Sequence, residues 1–446
     1  MTRDALADWL NRTAPPFPDT APEDVPDSSL EPLLDMIGSS RVVALGESMH
    51  RTHEFLAWRQ RLLRFLVERA GFTALAIESG FPEAERVDRW VVAGEGGLRP
   101  ALDEGITYHF GKCQEALDLA VWMRERSVTS GSPVRFYGVD IPDSAASALP
   151  AVTAAVDFLA VADPEYAEHV RRTVIDAHDH LPSDRSGLAR AAPAIQSYLA
   201  LDDARRQAIT AGTAGLVERI RARRTDYRAN GLAADAIDRA VRTAEVARGA
   251  DAFLAAMVEG PTRTWPAANI RDSTMADTVE WILEREERLL LFAANGHVRK
   301  TPYLAPPFVT EPLATVGTHL SARLGADYTV IGTTFGGGEA WLHRPGPDDP
   351  PGHSTPFTAE IGTLRPDSLD RHLAEAGRGT RLIDLRSAPA EVAASLDGVH
   401  GTHNGTELEV ADVRASFDLI LHVDRVSPWH TWIDAHGHWE TAEPVS

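Results

Sequence analysis

The chain has 446 residues, 43% hydrophobic and 24% charged. That balance supplies a sizeable core and excludes a disordered, collagen-like or disulfide-stapled protein. With 65 acidic against 44 basic residues the formal net charge is −21, so the basic face that nucleic acid or an anionic membrane requires is missing.

Residues 1–30 are polar and proline-rich and read as an arm with one short helix. Acidic residues stand near the N-terminus where a signal peptide needs an apolar run, and no stretch approaches the ~20 apolar residues of a membrane span. The expectation is a soluble, cytoplasmic protein. From Arg41 the pattern changes. Arg41-Val-Val-Ala-Leu45 is a buried strand stopped by Gly46, and His50 to Ala70 follows with apolar residues at spacings of three and four. Gly71 stands where a helix C-cap glycine belongs, and Thr73–Glu78 is a second strand. Strand–helix–strand in so short a span is the mark of a parallel sheet with a right-handed crossover.

Glu115 to Arg126 is an amphipathic helix, followed by the strand Val134–Asp140. Between about 150 and 260 strand signal disappears, and Ala-, Arg- and Asp-rich helices follow one another, broken at Pro182-Ser-Asp and Asn230-Gly. The sheet resumes at Arg288–Asn295, Tyr328–Thr334 and Glu339–His343. The irregular stretch 344–352 suits a surface flap, and Arg381–Leu385 and Phe417–Val423 read as late strands. The sequence therefore divides into an arm (1–30), a first part of an α/β core (31–150), a helical insertion (151–260) and a second part of the core (261–446). The fold class is α/β: a central, largely parallel sheet flanked by helices, the insertion expected to cap the cleft.

In open parallel sheets, ligands bind beyond the carboxyl ends of the strands. Glu47 and His50 follow the first strand, Glu78 ends the second, Asp140 ends the third, and His297 follows the strand at 288–295. Four strands thus deliver carboxylates and imidazoles to one rim. A neutral imidazole can take a proton from water near neutral pH, and a carboxylate, Glu47 or Glu78, can orient it and support its charge. A second His or an Arg can hold a carbonyl oxygen as it becomes negative. That chemistry fits water attack on an ester.

Competing motifs are weaker. Gly46-Glu-Ser48-Met-His50 has His in place of the last glycine of a nucleophile elbow, which disfavours Ser48 as nucleophile. His50-Arg-Thr-His53-Glu54 is not a zincin motif. A divalent metal at Glu47, His50, Glu78 and His297 is chemically possible and not favoured, and Cys113 is the lone cysteine. Gly336-Gly-Gly338 reads as a hairpin turn. Trp58, Trp90 and Trp122 default to packing. Lys300 is conspicuous, because only it and Lys112 are lysines.

Arg41-Val-Val-Ala-Leu-Gly-Glu-Ser-Met-His50, Glu54-Phe55, Arg59, Arg64 and Gly71–Glu78 resemble the erythromycin esterase family, whose opening motif is Leu-Gly-Glu-x-x-His with a downstream Glu-Phe, Arg and strand-ending Glu. Phe136–Pro142, Arg271-Asp-Ser-Thr-Met275, Ala294-Asn-Gly-His-Val298 with Lys300-Thr-Pro302, Gly317–Gly332 and Phe417–Asp424 continue the match, which is thin over 150–260. The resemblance implies hydrolysis of a macrolide's lactone ester. It assigns His50 as general base, with Glu47, Arg59, Glu78 and His297 as active-site partners. His53, Asp140, Arg271, Asn295 and Lys300 are expected to bind substrate. No cofactor is expected, and the partner is a small-molecule ester. Two alternatives stay open: an ester- or acyl-processing enzyme of natural-product biosynthesis acting on a non-macrolide, and a binding protein that keeps the cleft without the chemistry. Oligomeric state is not legible.

Overall fold

The computed structural model describes residues 3–182, 191–258, 264–305, 309–349, 353–405 and 407–431. Its strands among these residues, numbered along the chain, fall into three sheets. The central one holds β1 (Val42–Glu47), β2 (Ala74–Gly80), β3 (Arg135–Asp140), β4 (Leu289–Ala294), β7 (Tyr328–Phe335), β10 (Arg381–Asp384) and β13 (Leu419–Val423), in the order β10-β13-β7-β1-β4-β2-β3. All neighbours are parallel except β10 with β13. A smaller sheet, β11 (Gly401–Asn404), β12 (Glu407–Val410), β5 (Tyr303–Ala305) and β6 (Val309–Leu313), lies beside it, and β8 (Glu339–Arg344) pairs with β9 (Thr355–Glu360) as a separate ribbon.

The central strands are apolar on both faces because both are covered. Along β1, Val43 and Leu45 enter one core while Val42 and Ala44 enter the other. The first face takes the helix His53–Ala70 through Phe55, Trp58, Leu62, Phe65 and Leu66, together with the helix Gln114–Ser130. Burying each such side chain contributes roughly 1.5–3 kcal/mol. The second face is lined by small residues, Ala44, Ala74, Ala76 and Ala293, against Met275, Ala276, Val279 and Ile282 of the helix Thr264–Leu283.

Three local expectations are corrected. The helix after β1 starts at His53, not His50, because Arg51 takes a left-handed φ of 63°; that turn holds His50 off the helix. Gly336–Gly338 is not a hairpin turn. It links β7 to the separate β8–β9 ribbon, and a Cβ on Gly338 would lie 2.0 Å from the Val426 carbonyl oxygen that crosses it. The stretch Glu339–His343 therefore leaves the central sheet instead of extending it. Gly71 does cap its helix, with a φ of 70°.

Residues 149–258 are helical wherever described, apart from short connections. Val152, Val156, Leu159, Leu216 and Ile220 form an apolar core of their own. The long helix Ala234–Val258 packs on Thr264–Leu283, which in turn covers the sheet. Residues 183–190, 259–263 and 350–352, which include parts of the expected break after Pro182 and of the flap, lie outside the described residues.

Candidate active site

Order along the sheet decides what meets at its carboxyl edge. The chain passes from β1 to β2 and β3, then returns to insert β4 between β1 and β2. Glu47, Glu78, Asp140 and the segment after Ala294 therefore reach one rim. Glu78 sits on a bulge: β2 pairs with β3 at Ile77–Gly138, then skips to Gly80–Asp140. A bulge re-aims a side chain, and here the Glu78 Oε2 accepts the Ala294 N–H at 3.0 Å. Gly138 is required beside it, since a Cβ there would lie 2.4 Å from the Gly80 carbonyl oxygen.

His50 Nδ1 lies 2.5 Å from Glu47 Oε1. Its Nε2 makes no hydrogen bond to any described residue, and its side chain is 36% exposed. Burial disfavours charge on the ring, yet the charge and hydrogen bond of Glu47, with Glu78 behind, raise its pKa above the ordinary histidine value. Ser48 is buried, and its hydroxyl has no hydrogen-bond partner among the described residues, His50 included.

His297 is a different histidine. Nδ1 lies 3.0 Å from Asp272 Oδ2, and Nε2 lies 3.3 Å from Glu78 Oε1. Burial opposes its charge, but Asp272 and Glu78 together push its pKa up to about 10. It is a fixed imidazolium at neutral pH. Glu78 is its counterpart: against burial, His297, Arg271 and His50 hold its carboxyl well below the usual range. Arg271 donates Nη2 to Glu78 at 3.0 Å and grips Asp140 through Nε at 2.9 Å and Nη2 at 2.6 Å.

Of the residues expected to bind substrate, Arg271, Asp140 and Asn295 stand at the rim, each engaged with neighbouring groups, and Lys300 and His53 lie away from it. Asp140 is fully buried and holds Arg271, the Tyr108 hydroxyl and the Ile141 N–H. Asn295 is a staple: Nδ2 donates to the Thr333 carbonyl at 2.8 Å, and Oδ1 accepts the Thr333 N–H at 3.0 Å. Its amide passes over β1 at Gly46, where a Cβ would lie 2.1 Å from Asn295 Oδ1. Lys300 pairs with Asp418 at 2.6 Å, just before β13 and so at the opposite edge of the sheet. His53 is turned to Glu115, on the outer side of its helix.

The pocket at Glu47 and Glu78 is lined by Arg51, Arg59, Phe110, Phe292 and Trp429 among others, and by no described residue of the insertion. A groove of about 1220 Å³ runs between the helices Ala234–Val258 and Thr264–Leu283, and Glu47, His50, Glu78 and His297 are not in its lining. Arg59 is 5% exposed, with its guanidinium 4.9 Å from the centre of Phe292. Arg51 lies 5.1–5.8 Å from the centres of Phe110, Trp341 and Trp429, and burial pushes its pKa down to about 10. The Nε of each has no hydrogen-bond partner among the described residues.

Sequence reasoning missed Arg51, Tyr108, Asp272 and Glu409. Asp272 stood inside a quoted motif and could have been found. Tyr108 and His109 take left-handed φ of 59° and 62°, as do Asp143, Ser144 and Ala145 at 56–62°; no glycine or asparagine announces these turns. Glu409 comes from the small sheet, buried and raised in pKa by that burial, and its charge reaches His297 and His50.

A family model described as erythromycin esterase matches residues 67–426. Erythromycin esterase type II of Escherichia coli is 30% identical over 349 residues, covering 75% of this chain and 78% of that protein. Type I from Escherichia coli is 26% identical over 384 residues, 83% and 88% of the two chains. A solved structure of an erythromycin esterase mutant in its open conformation superposes with a TM-score of 0.72 at 21% identity, over 91% of this chain and 96% of that one.

Proposed function

The chain belongs to the erythromycin esterase family, and from that premise we propose that it hydrolyses a carboxylic ester or macrolactone by water attack, with His50 as the base. The observation that carries this reading is the His50–Glu47 pair. Nδ1–H is bound to the carboxylate, so Nε2 is left as a basic lone pair on a side chain that is 36% exposed. Water loses a proton to Nε2 as its oxygen adds to the ester carbonyl. Glu47 supports the imidazolium that forms. The carbonyl oxygen, now negative, meets the guanidinium groups of Arg51 and Arg59. Collapse expels the alkoxide, which takes the proton back from His50. For a lactone, the ring opens with gain of one water.

Glu78, His297, Asp272, Arg271 and Asp140 form the frame around this pair. Both Glu78 oxygens and both His297 nitrogens are engaged within that frame. Only His50 Nε2 and Glu47 Oε2 remain open among the four rim groups, which supports catalysis without a resident metal. Ser48 lacks a base on its hydroxyl, which supports water over serine as the nucleophile.

The test is mass spectrometry of a panel of macrolides and simpler esters incubated with the protein, looking for gain of one water. His50→Ala should lose about 10²–10⁴-fold in rate, the usual share of a positioned base, while Ser48→Ala retains activity. An inactive, folded Ser48→Ala with His50 intact would establish a serine hydrolase instead. The half-buried Arg51 among three aromatic rings favours a second substrate reading, an ester with an anionic group beside the scissile bond, so the panel includes esters carrying a carboxylate.

A further inference from the structure

His53, Glu115 and His430 bring three metal-ligating groups together on the outer side of the helix His53–Ala70, apart from the rim chemistry. His53 opens that helix, Glu115 lies in the first turn of Gln114–Ser130, and His430 lies on the segment after β13 that crosses both. Glu115 Oε1 is 2.6 Å from His53 Nδ1 and 3.2 Å from His430 Nδ1. One donor atom from each of the three lies within 4.8 Å of the others.

Main-chain bonds fix this convergence. The His53 N–H donates to the Ser427 carbonyl, the Gln114 N–H donates to the His430 carbonyl, and the His430 N–H donates to Glu115 Oε1. The Glu115 side chain is 4% exposed, and its Oε2 is buried with no hydrogen-bond partner among the described residues. The His53 and His430 side chains are 24% and 61% exposed, so the cluster is open on one side to an arriving ion and to a water ligand. Glu23, Asp118 and Glu125 line the adjoining cleft with Arg64 and make its surroundings acidic overall.

The donor set is two imidazoles and a carboxylate. Tetrahedral zinc takes such ligands at about 2.0–2.2 Å, which places neighbouring donor atoms about 3.3 Å apart. The 3.2 Å spacing of His430 and Glu115 already matches, and His53, now 2.6 Å from Glu115, must retreat by about 0.7 Å. Without an ion, the two rings sit with centres 4.4 Å apart. An ion shares its charge with both rings and displaces their protons.

We propose that His53, Glu115 and His430 form a binding site for a borderline divalent cation, best suited to Zn²⁺, distinct from the groups that activate water. Its effect is positional. The segment it clips carries Trp429, which lines the catalytic pocket and whose N–H holds the Arg51 carbonyl at 3.0 Å. An occupied site ties that wall to two core helices.

The test titrates Zn²⁺, and separately Co²⁺, into the full-length protein after dialysis against a chelator. Calorimetry reads stoichiometry, and the visible spectrum of Co²⁺ reads its coordination. One ion should bind per chain and raise the Tm. His430→Ala alters an exposed side chain and should keep the fold while weakening binding by more than about 100-fold, beyond the usual cost of losing an outer partner. Glu47→Gln should bind the ion as the native protein does. No binding at sub-millimolar Zn²⁺ would overturn the proposal, as would binding unchanged in His430→Ala. Loss of binding in Glu47→Gln with His430→Ala unaffected would move the site to the rim and overturn it as well.

Discussion

Replacing Glu47 by Gln tests the catalytic reading most directly, because it removes one charge and little else. The amide matches the carboxylate in shape. Its oxygen can still accept His50 Nδ1–H, and Glu47 Oε2, where the amide nitrogen would go, has no hydrogen-bond partner. The ring stays oriented, but the imidazolium loses its counter-charge. A hydrogen bond to a charged group contributes about 1.5–3 kcal/mol, against about 0.5–1.5 for a neutral one. The difference, about 1.4 kcal/mol, is roughly tenfold in rate. The sign of the pH effect follows from the same pair. Glu47 raises the His50 pKa by favouring the protonated ring, and only the neutral ring is a base. Taking the charge away lowers that pKa, so the acid limb of kcat/KM must move to lower pH while the plateau falls about tenfold. Initial rates of ester hydrolysis from about pH 5 to about pH 9, at fixed ionic strength, span the range over which a histidine titrates. An acid limb that moves upward or stays in place, or a plateau equal to that of the native protein, would refute the pairing as the source of basicity.

Three further outcomes follow from the frame. His297 gains its proton affinity on folding, so its contribution to stability is complete below about pH 6.5 and is lost as the pH rises through about 10; urea unfolding should show a decline of a few kcal/mol across that window, absent in a folded His297→Gln. Asp140→Asn leaves the half-buried Arg271 with Glu78 as its remaining carboxylate partner and should cost about 3 kcal/mol in the same assay, whereas a loss below about 1 kcal/mol would show that the Asp140 ion pair carries little. Gly46→Ala drives a Cβ to 2.1 Å from Asn295 Oδ1 and should destabilise by about 1–3 kcal/mol or more. Unfolding at the native denaturant midpoint would disprove the staple.

The residues that carry the chemistry were legible where local rules act. Val42–Leu45 and Leu289–Ala293 are buried on both faces, and a continuous apolar run is the direct record of that. In a parallel sheet, whatever follows such runs stands on one rim, so Glu47, His50, Glu78 and His297 could be picked from the sequence alone. What each does there could not. The two histidines read alike in sequence, yet one keeps a free nitrogen and the other is locked as a cation by Asp272 and Glu78, partners about 25 and over 200 residues away in the chain. Asn295 and Lys300 lie within the same short motif, but the chain turns back beside the sheet between them. One amide then meets Thr333 and the ammonium meets Asp418, at opposite edges. The left-handed turns at Arg51, Tyr108 and Ser144–Ala145 carry none of the usual residues, because packing around the site enforces them against local preference. Local pattern therefore determined the elements, their direction and the rim residues. Charge state, pairing and the pocket's walls were decided only by the tertiary structure, because they depend on long-range neighbours that no spacing along the chain encodes.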